Sequence, residues 1–242
     1  MISILIPIYN GIEFIDESVS SVLNQTYDKW ELLIGVNGHS ENSDVFKKAK
    51  EYEKSNKIRV FDFYQIKGKS NTLNEMKKYC KYEYIALLDV DDIWHPQKLE
   101  IQSNLFTHNY DVIGSRCIFF GNKENIPKIP TGDIGGFDFS IVNPIINSSC
   151  LIKKELCYWN KDGIEDYDLW LRLKRQNKRF FNCNEILVRH RIHNTSAFNT
   201  KCYNDKVDIL LRIYGFKRYS KVKNEQPKFH TYRVNKISMK LF

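Results

Sequence analysis

Three carboxylates in four positions, Asp89, Asp91 and Asp92, follow directly on the apolar run Ile85 to Leu88. Four or five apolar residues between polar flanks suit a buried central strand. Open α/β sheets bind ligands beyond the carboxyl ends of such strands. Crowded carboxylates repel one another and are costly to desolvate unless a cation neutralises them. Hard oxygen donors suit Mg²⁺ or Mn²⁺, commonly shared with a diphosphate. The competing reading is a solvated acidic loop, or a cap in which Asp89 or Asp92 opens a helix near His95 and Pro96; the strand-end position favours the metal. A second acidic pair, Glu165 and Asp166, precedes Leu169, Trp170 and Leu173, which share one helical face. Read alone, that pair is two helix-terminal acids, worth about 0.3–1 kcal/mol each through the helix dipole. Beside a metal-binding acid cluster, it reads as a proton acceptor.

The elements that must position these groups alternate. Ile2 to Ile8, Trp30 to Val36, Ile58 to Tyr64 and Tyr84 to Leu88 read as strands, the first ended by Pro7 and the turn at Tyr9 to Gly11. Helical spacing fills the intervals: Phe14, Ile15, Val19, Val22 and Leu23 first, then about 41–54, then Gly68 to Lys78. This β-α-β-α-β-α-β order predicts an α/β fold with a parallel or mostly parallel sheet and right-handed crossovers. Tyr9, Asn37 and Asp91 then lie in loops at one end of that sheet and can converge on a nucleotide. Neither G-x-G-x-x-G after the first strand nor G-x-x-x-x-G-K-[ST] occurs, which excludes the dinucleotide and P-loop signatures. Further on, His95 to His108 reads as a helix and Asp111 to Phe120 as a strand. Residues 121–138 read as a surface loop, Ser148 to Ile152 and Phe180 to Val188 as strands. Trp94 and Trp170 read as core, His95 and His190 as structural or exposed, Arg172 as an ion-pair partner.

Composition bounds the partners. The chain has 242 residues and net charge +8, with six scattered cysteines and no C-x-x-C pair. This argues against structural zinc and fits a reducing, cytoplasmic setting. No apolar run reaches the ~18 residues of a membrane span, and the first residues lack the basic start of a signal peptide. From Arg212 to Phe242 there are nine Lys or Arg and one acid, Glu225. We therefore expect a domain over 1–215, with a donor half at 1–110 and a catalytic half at 111–215, and a basic tail at 216–242. Such a tail suits an anionic membrane surface, or no partner at all; nucleic acid is the least favoured.

Pro7-Ile8-Tyr9-Asn10, Ser20 to Tyr27 ahead of Glu31 to Ile34, Gly68 with Ser70 and Asn74, Leu88 to Pro96, Glu165 to Arg172, and Arg191 to His193 occur in one order. Together they resemble glycosyltransferase family 2, of GT-A fold, over roughly residues 1–200. The resemblance implies an inverting hexosyltransferase with a small α+β acceptor-side region. It moves a sugar from a nucleotide-diphosphate donor, a UDP-sugar favoured, with Mn²⁺ or Mg²⁺, to a glycan, lipid-linked or protein acceptor. It places Pro7 and Tyr9 on the nucleotide side, Tyr9 against the base. Asp89 and Asp91 match the family's D-x-D element: Asp91 as metal ligand, Asp89 near the ribose or a metal-bound water. Asp166 takes the place of the catalytic base with Glu165 beside it, and His193 that of a residue approaching the metal or diphosphate.

The chain departs from the family at three points. Asn37 stands where an acid normally accepts from the base; an amide oxygen accepts equally, and its nitrogen also donates. The usual Arg before Asn74 is missing, leaving Lys69 to meet the diphosphate. The glycine-rich run before Glu165 is shortened to 160–163. Two other readings remain: a degenerate sugar-nucleotide-binding scaffold, and a sugar-nucleotide pyrophosphorylase, which would need a glycine- and arginine-rich loop after the first strand.

Overall fold

The computed structural model describes residues 1–160, 164–194, 204–217 and 231–232. Four parallel strands open the chain: β1 (Ile2–Ile8), β2 (Trp30–Asn37), β3 (Ile58–Phe63) and β4 (Tyr84–Leu87). They are joined through α1 (Ile15–Leu23), α2 (Asp44–Lys50) and α3 (Lys69–Tyr79). Past the acid cluster come β5 (Ile93–Trp94), α4 (Lys98–Ser103), β6 (Val112–Gly121), β7 (Ile126–Pro127), β8 (Gly132–Asp133) and β9 (Leu151–Lys153). The described elements continue with α5 (Glu165–Arg175), β10 (Phe180–Ile192), α6 (Asn204–Ile213) and β11 (Thr231–Tyr232). The nine-stranded sheet runs β3-β2-β1-β4-β9-β6-β10-β5, with β8 on β10. The sheet is mostly parallel, as expected. β9 is the exception in its middle, antiparallel to both β4 and β6, so both halves of the chain build one sheet.

Period-two patterning explains its two buried faces. Along β1, Ile2, Ile4, Ile6 and Ile8 enter one core with Val19 and Val22 of α1 and Ala49 of α2. Leu5 enters the other, with Leu33, Leu73 and Met76 of α3, and Leu169 and Trp170 of α5. Trp94 is buried too, so both tryptophans are core as expected.

Several expected elements differ. β1 runs through Pro7, which pairs in register with Gly35; the ladder to β4 has already ended at Leu5 and Leu87, where a missing N–H is tolerated. The helix expected over 95–108 is broken. Trp94 is drawn into an antiparallel pair with Val188, His95 N–H donates to Leu187 O, and α4 starts only at Lys98. The 121–138 loop is pinned rather than freely solvated: Ile126, Ile129 and Ile134 are buried, and β8 pairs with β10. β10 extends to Ile192, four residues beyond the expected Val188. Arg172 reaches the Tyr158 carbonyl rather than a carboxylate. Of the expected basic tail, only 216–217 and β11 fall within the described residues; the rest, like Gly163, lies outside them. β11 pairs antiparallel with β7.

Candidate active site

At the carboxyl ends of β1 and β2, Tyr9 is 57% exposed while Asn37 is 2% exposed. Gly38 has φ +75°, and a Cβ there would stand 2.8 Å from the Tyr9 ring, so only glycine lets that ring lie across the turn. His39 donates from Nε2 to the Tyr9 carbonyl at 2.5 Å, and the two rings are 5.4 Å apart. The result is an exposed aromatic plate on a fixed turn. Asn37 Nδ2 beside it is buried without a partner among the described residues. Such a donor costs free energy unless something accepts from it.

The three acids after β4 have separate partners. Asp89 takes Lys69 Nζ at 2.6 Å on Oδ1 and Asn147 Nδ2 at 3.1 Å on both oxygens. Its backbone N–H donates to Ser148 Oγ at 3.0 Å. Burial pushes the Asp89 carboxyl up, but the charge and hydrogen bond of Lys69, with Asn147, outweigh it and hold the group below its usual range. Asp91 faces His193 Nε2 across 2.9 Å. Burial, then repulsion from Asp92 and Asp89, push the Asp91 carboxyl up. Asp92 is fully buried and accepts the Arg191 N–H at 2.8 Å and His190 Nδ1 at 2.9 Å. It caps no helix; it staples the acid loop to the end of β10. Arg191 reinforces the staple, donating from Nε to the Asp91 carbonyl and reaching Glu17 of α1 at 2.7 Å.

α5 begins at Glu165, with Glu165, Asp166 and Asp168 in its first turn. Asp166 accepts from Asn143 Nδ2 at 2.9 Å and from the Tyr167 N–H at 2.7 Å. Burial, then the neighbouring Glu165 charge, push its carboxyl up to about 6 against the pull of Lys69 and these two donors. Lys69, the first residue of α3, lies 3.7 Å from Glu165 as well as on Asp89. Burial disfavours its charge, but Asp89, Glu165 and Asp166 more than compensate and hold the ammonium above its ordinary range. One lysine thus ties the D-x-D loop to the start of α5.

Among the described residues, no group of three or more His, Cys, Asp or Glu side chains could hold a metal by itself. Asp91 and His193 supply a carboxylate and an imidazole, a donor pair that suits Mn²⁺ when diphosphate oxygens and water complete the shell. Asp89, also expected near the metal, has both oxygens engaged by Lys69 and Asn147. Lys69, expected at the diphosphate, is engaged by the acids. Asn143, Asn147 and Ser148 were not singled out from the sequence. Asn147 and Ser148 lie in a single 3-10 turn, the strand expected from Ser148 starting only at Leu151, and the partners of all three are 23 to 59 residues away in sequence.

A mostly parallel sheet with an aspartate loop, an exposed aromatic plate and a helix-terminal carboxylate at one end defines a glycosyltransferase of GT-A fold. The fold is shared with the Staphylococcus aureus protein TarS (residues 1–349, in complex with UDP-GlcNAc), at TM-score 0.70 and 13% identity, covering 88% of this chain and 65% of that one. It is shared also with the mannosyltransferase PcManGT from Pyrobaculum calidifontis, in complex with GDP-Man and Mn²⁺, at TM-score 0.61 and 14% identity, covering 81% and 58%. The chain thus spans less than two thirds of either solved chain. Residues 3–161 match the family model described as Glycosyl transferase family 2. The chain is 32% identical over 209 residues to the O-antigen biosynthesis glycosyltransferase WbnJ of Escherichia coli, covering 81% of this chain and 82% of that protein. It is 31% identical over 212 residues to the E. coli UDP-Glc:alpha-D-GlcNAc-diphosphoundecaprenol beta-1,3-glucosyltransferase WfgD, covering 83% and 81%. The chain belongs to glycosyltransferase family 2.

Proposed function

We propose that this enzyme transfers a hexosyl group, with inversion, from a nucleotide-diphosphate sugar to a hydroxyl of a glycan acceptor, Asp166 acting as base. The observation that carries the reading is the Asp166 carboxyl, pushed up to about 6 at the start of α5 and linked through Lys69 to the D-x-D loop. A general base works best when its pKa lies near the working pH. Asp166 accepts the acceptor's proton as its oxygen attacks, and attack opposite the leaving group inverts the anomeric carbon. Tyr9 stacks on the base, and Asn37 offers it a buried amide. Asp91 and His193 hold Mn²⁺ or Mg²⁺, which when bound neutralises the departing diphosphate. Asp89, oriented by Lys69 and Asn147, faces the donor's ribose side.

UDP-sugar is the favoured donor: the TarS structure is a complex with UDP-GlcNAc, and WfgD is named for UDP-Glc. A lipid-linked glycan is the favoured acceptor, in line with the diphosphoundecaprenol of WfgD's name. No helix among the described residues is long and apolar enough to cross a membrane. Action at the cytoplasmic membrane face fits the nine cations to one acid from Arg212 onward, and Ile209 and Ile213 exposed on α6. A thermal-shift screen of UDP-, GDP-, dTDP- and CDP-sugars with and without Mn²⁺ tests the reading, because a ligand of the folded state raises Tm. We expect a Mn²⁺-dependent rise with a UDP-sugar; no rise with any donor refutes it.

A further inference from the structure

Two asparagines four residues apart each hold one of the two acids on which the proposed chemistry depends. Asn143 Nδ2 donates to Asp166 at 2.9 Å, and Asn147 Nδ2 donates to both oxygens of Asp89 at 3.1 Å. The next residue, Ser148, takes the Asp89 N–H on its hydroxyl. The segment that carries them is anchored from several elements. Asn182 of β10 donates to the Pro144 carbonyl at 2.9 Å. Trp94 Nε1 donates to the Ser148 carbonyl at 2.7 Å, and Gln102 of α4 to the Ser149 carbonyl at 2.8 Å. Ile145 is fully buried over Gly114, where a Cβ would come within 3.0 Å of Ile145 and 2.2 Å of Asn182. Each asparagine spends its amide on an acid. Asn147 Oδ1 is buried without a partner among the described residues, and turning the amide over would set that oxygen against the Asp89 carboxylate.

We propose that Asn143 and Asn147 are paired positioning residues, one fixed segment setting the base on the acceptor side and the donor-side aspartate in register with each other. The proposal rests on the reading above, in which Asp166 is the base and Asp89 serves the donor. It assigns the two asparagines different effects. Asn147 acts through Asp89 and governs donor affinity. Asn143 acts through Asp166 and governs turnover. The groups facing Asp166 are Glu165 on its own helix, Lys69 from α3, the Tyr167 N–H and the Asn143 amide.

Asn143 also accepts the Ile145 N–H on Oδ1 at 3.3 Å, a turn ahead of Pro144 that an aspartate would preserve. Asn143→Asp therefore separates the two roles: the turn acceptor stays, and the donor to Asp166 becomes a second negative charge. We expect Asn143→Asp and Asn143→Ala each to lower kcat about tenfold or more with donor KM within about threefold, the loss of one charge-assisted hydrogen bond. We expect the acid limb of kcat to move to higher pH in Asn143→Asp, since the amide that favoured the ionised base is gone. Asn147→Ala should raise donor KM and the calorimetric Kd for UDP with Mn²⁺ about tenfold, kcat changing by less than about threefold. If Asn143→Asp matches wild type in kcat and pH profile while Asn143→Ala does not, the residue merely forms the turn and the proposal falls. An identical kcat and KM pattern in the Asn143 and Asn147 variants overturns it too. Asp166→Asn, assayed alongside, tells the two failures apart: near-wild-type transfer by that enzyme removes the parent reading and this proposal with it. Circular dichroism melts establish that each variant is folded.

Discussion

The acid loop after β4 and the acidic start of α5 treat their carboxylates in opposite ways. In the loop, Asp89 has a lysine and Asp92 a histidine, and Asp89 is held below its usual range. At α5, Asp166 has two neutral donors, an acidic neighbour and a lysine whose closest bond goes elsewhere, and it is pushed up to about 6. The first arrangement keeps charge fixed; the second keeps a proton exchangeable near neutral pH. Asp91 stands between the two. It lies in the loop yet is raised by burial and by the other acids, which outweigh the hydrogen bond of His193 and the charge of His190, so a bound cation would relieve it. Carboxylates at the ends of neighbouring elements can thus be separated into staple, metal ligand and base by what surrounds each.

Asp166→Asn attacks the exchangeable side of that contrast and should have the largest effect. Turnover should fall by at least about 10² while Mn²⁺-dependent donor binding persists, the usual range for one proton-transfer group. The wild-type rate should itself fall as pH drops through about 6, because the base must be ionised to act. A rate flat from pH 5 to 8 breaks the assignment.

Asp91→Ala probes the intermediate case. Removing the Asp91 carboxylate from the pair with His193 should abolish the Mn²⁺ dependence of nucleotide binding and leave the fold intact. Calorimetry with UDP, with and without the metal, reads this directly. Unchanged Mn²⁺-dependent affinity would show that the loop fixes charge for structural reasons alone.

His190→Gln tests the fixed side. Burial pulls the His190 imidazole down, but the charge and hydrogen bond of Asp92, then Asp91 and Asp89, raise it to about 9. A group raised on folding gives stability that is complete below its ordinary pKa of 6.5 and is lost as pH climbs through about 9. The magnitude is roughly 3 kcal/mol. Denaturant titrations at pH 6 and pH 9.5 should therefore show wild type losing stability across that window and His190→Gln losing far less. Equal pH dependence in both would mean that the staple carries no charge.

What the sequence made legible follows the same divide. β1 to β4 were readable because apolar runs of fixed length recur, and the acids because three carboxylates behind such a run are unusual. What each acid does was not readable from spacing. Asp92 looked like Asp91 in the chain; only the return of β10 to place His190 and the Arg191 N–H against it makes it structural. The expected 95–108 helix failed for a related reason, since Trp94 is claimed by a partner 94 residues away. Asn143 and Asn147 left no signal, because asparagines near a proline are ordinary turn residues. A short strand near β9 was readable, but not its antiparallel insertion between β4 and β6, since a three-residue strand carries no mark of its direction.

The finest test concerns the two charges that set Asp166 against each other. Glu165 raises its proton affinity and Lys69 lowers it. Glu165→Gln removes the repulsion, so the acid limb of kcat should move down by about half to one pH unit, the scale of a single nearby charge. Lys69→Met removes the attraction, so the limb should move up. The same variant should also weaken donor binding, because Asp89 loses the 2.6 Å partner that holds it ionised. Glu165→Gln should leave donor binding as it is, since Glu165 reaches the loop only through the 3.7 Å approach to Lys69. Rate profiles from pH 4.5 to 8 paired with calorimetry give both readings. Opposite shifts with donor affinity lost only in Lys69→Met would place Lys69 on both sides of the contrast. Shifts of one sign would mean that burial, the larger cause, sets Asp166 with little help from its charged neighbours.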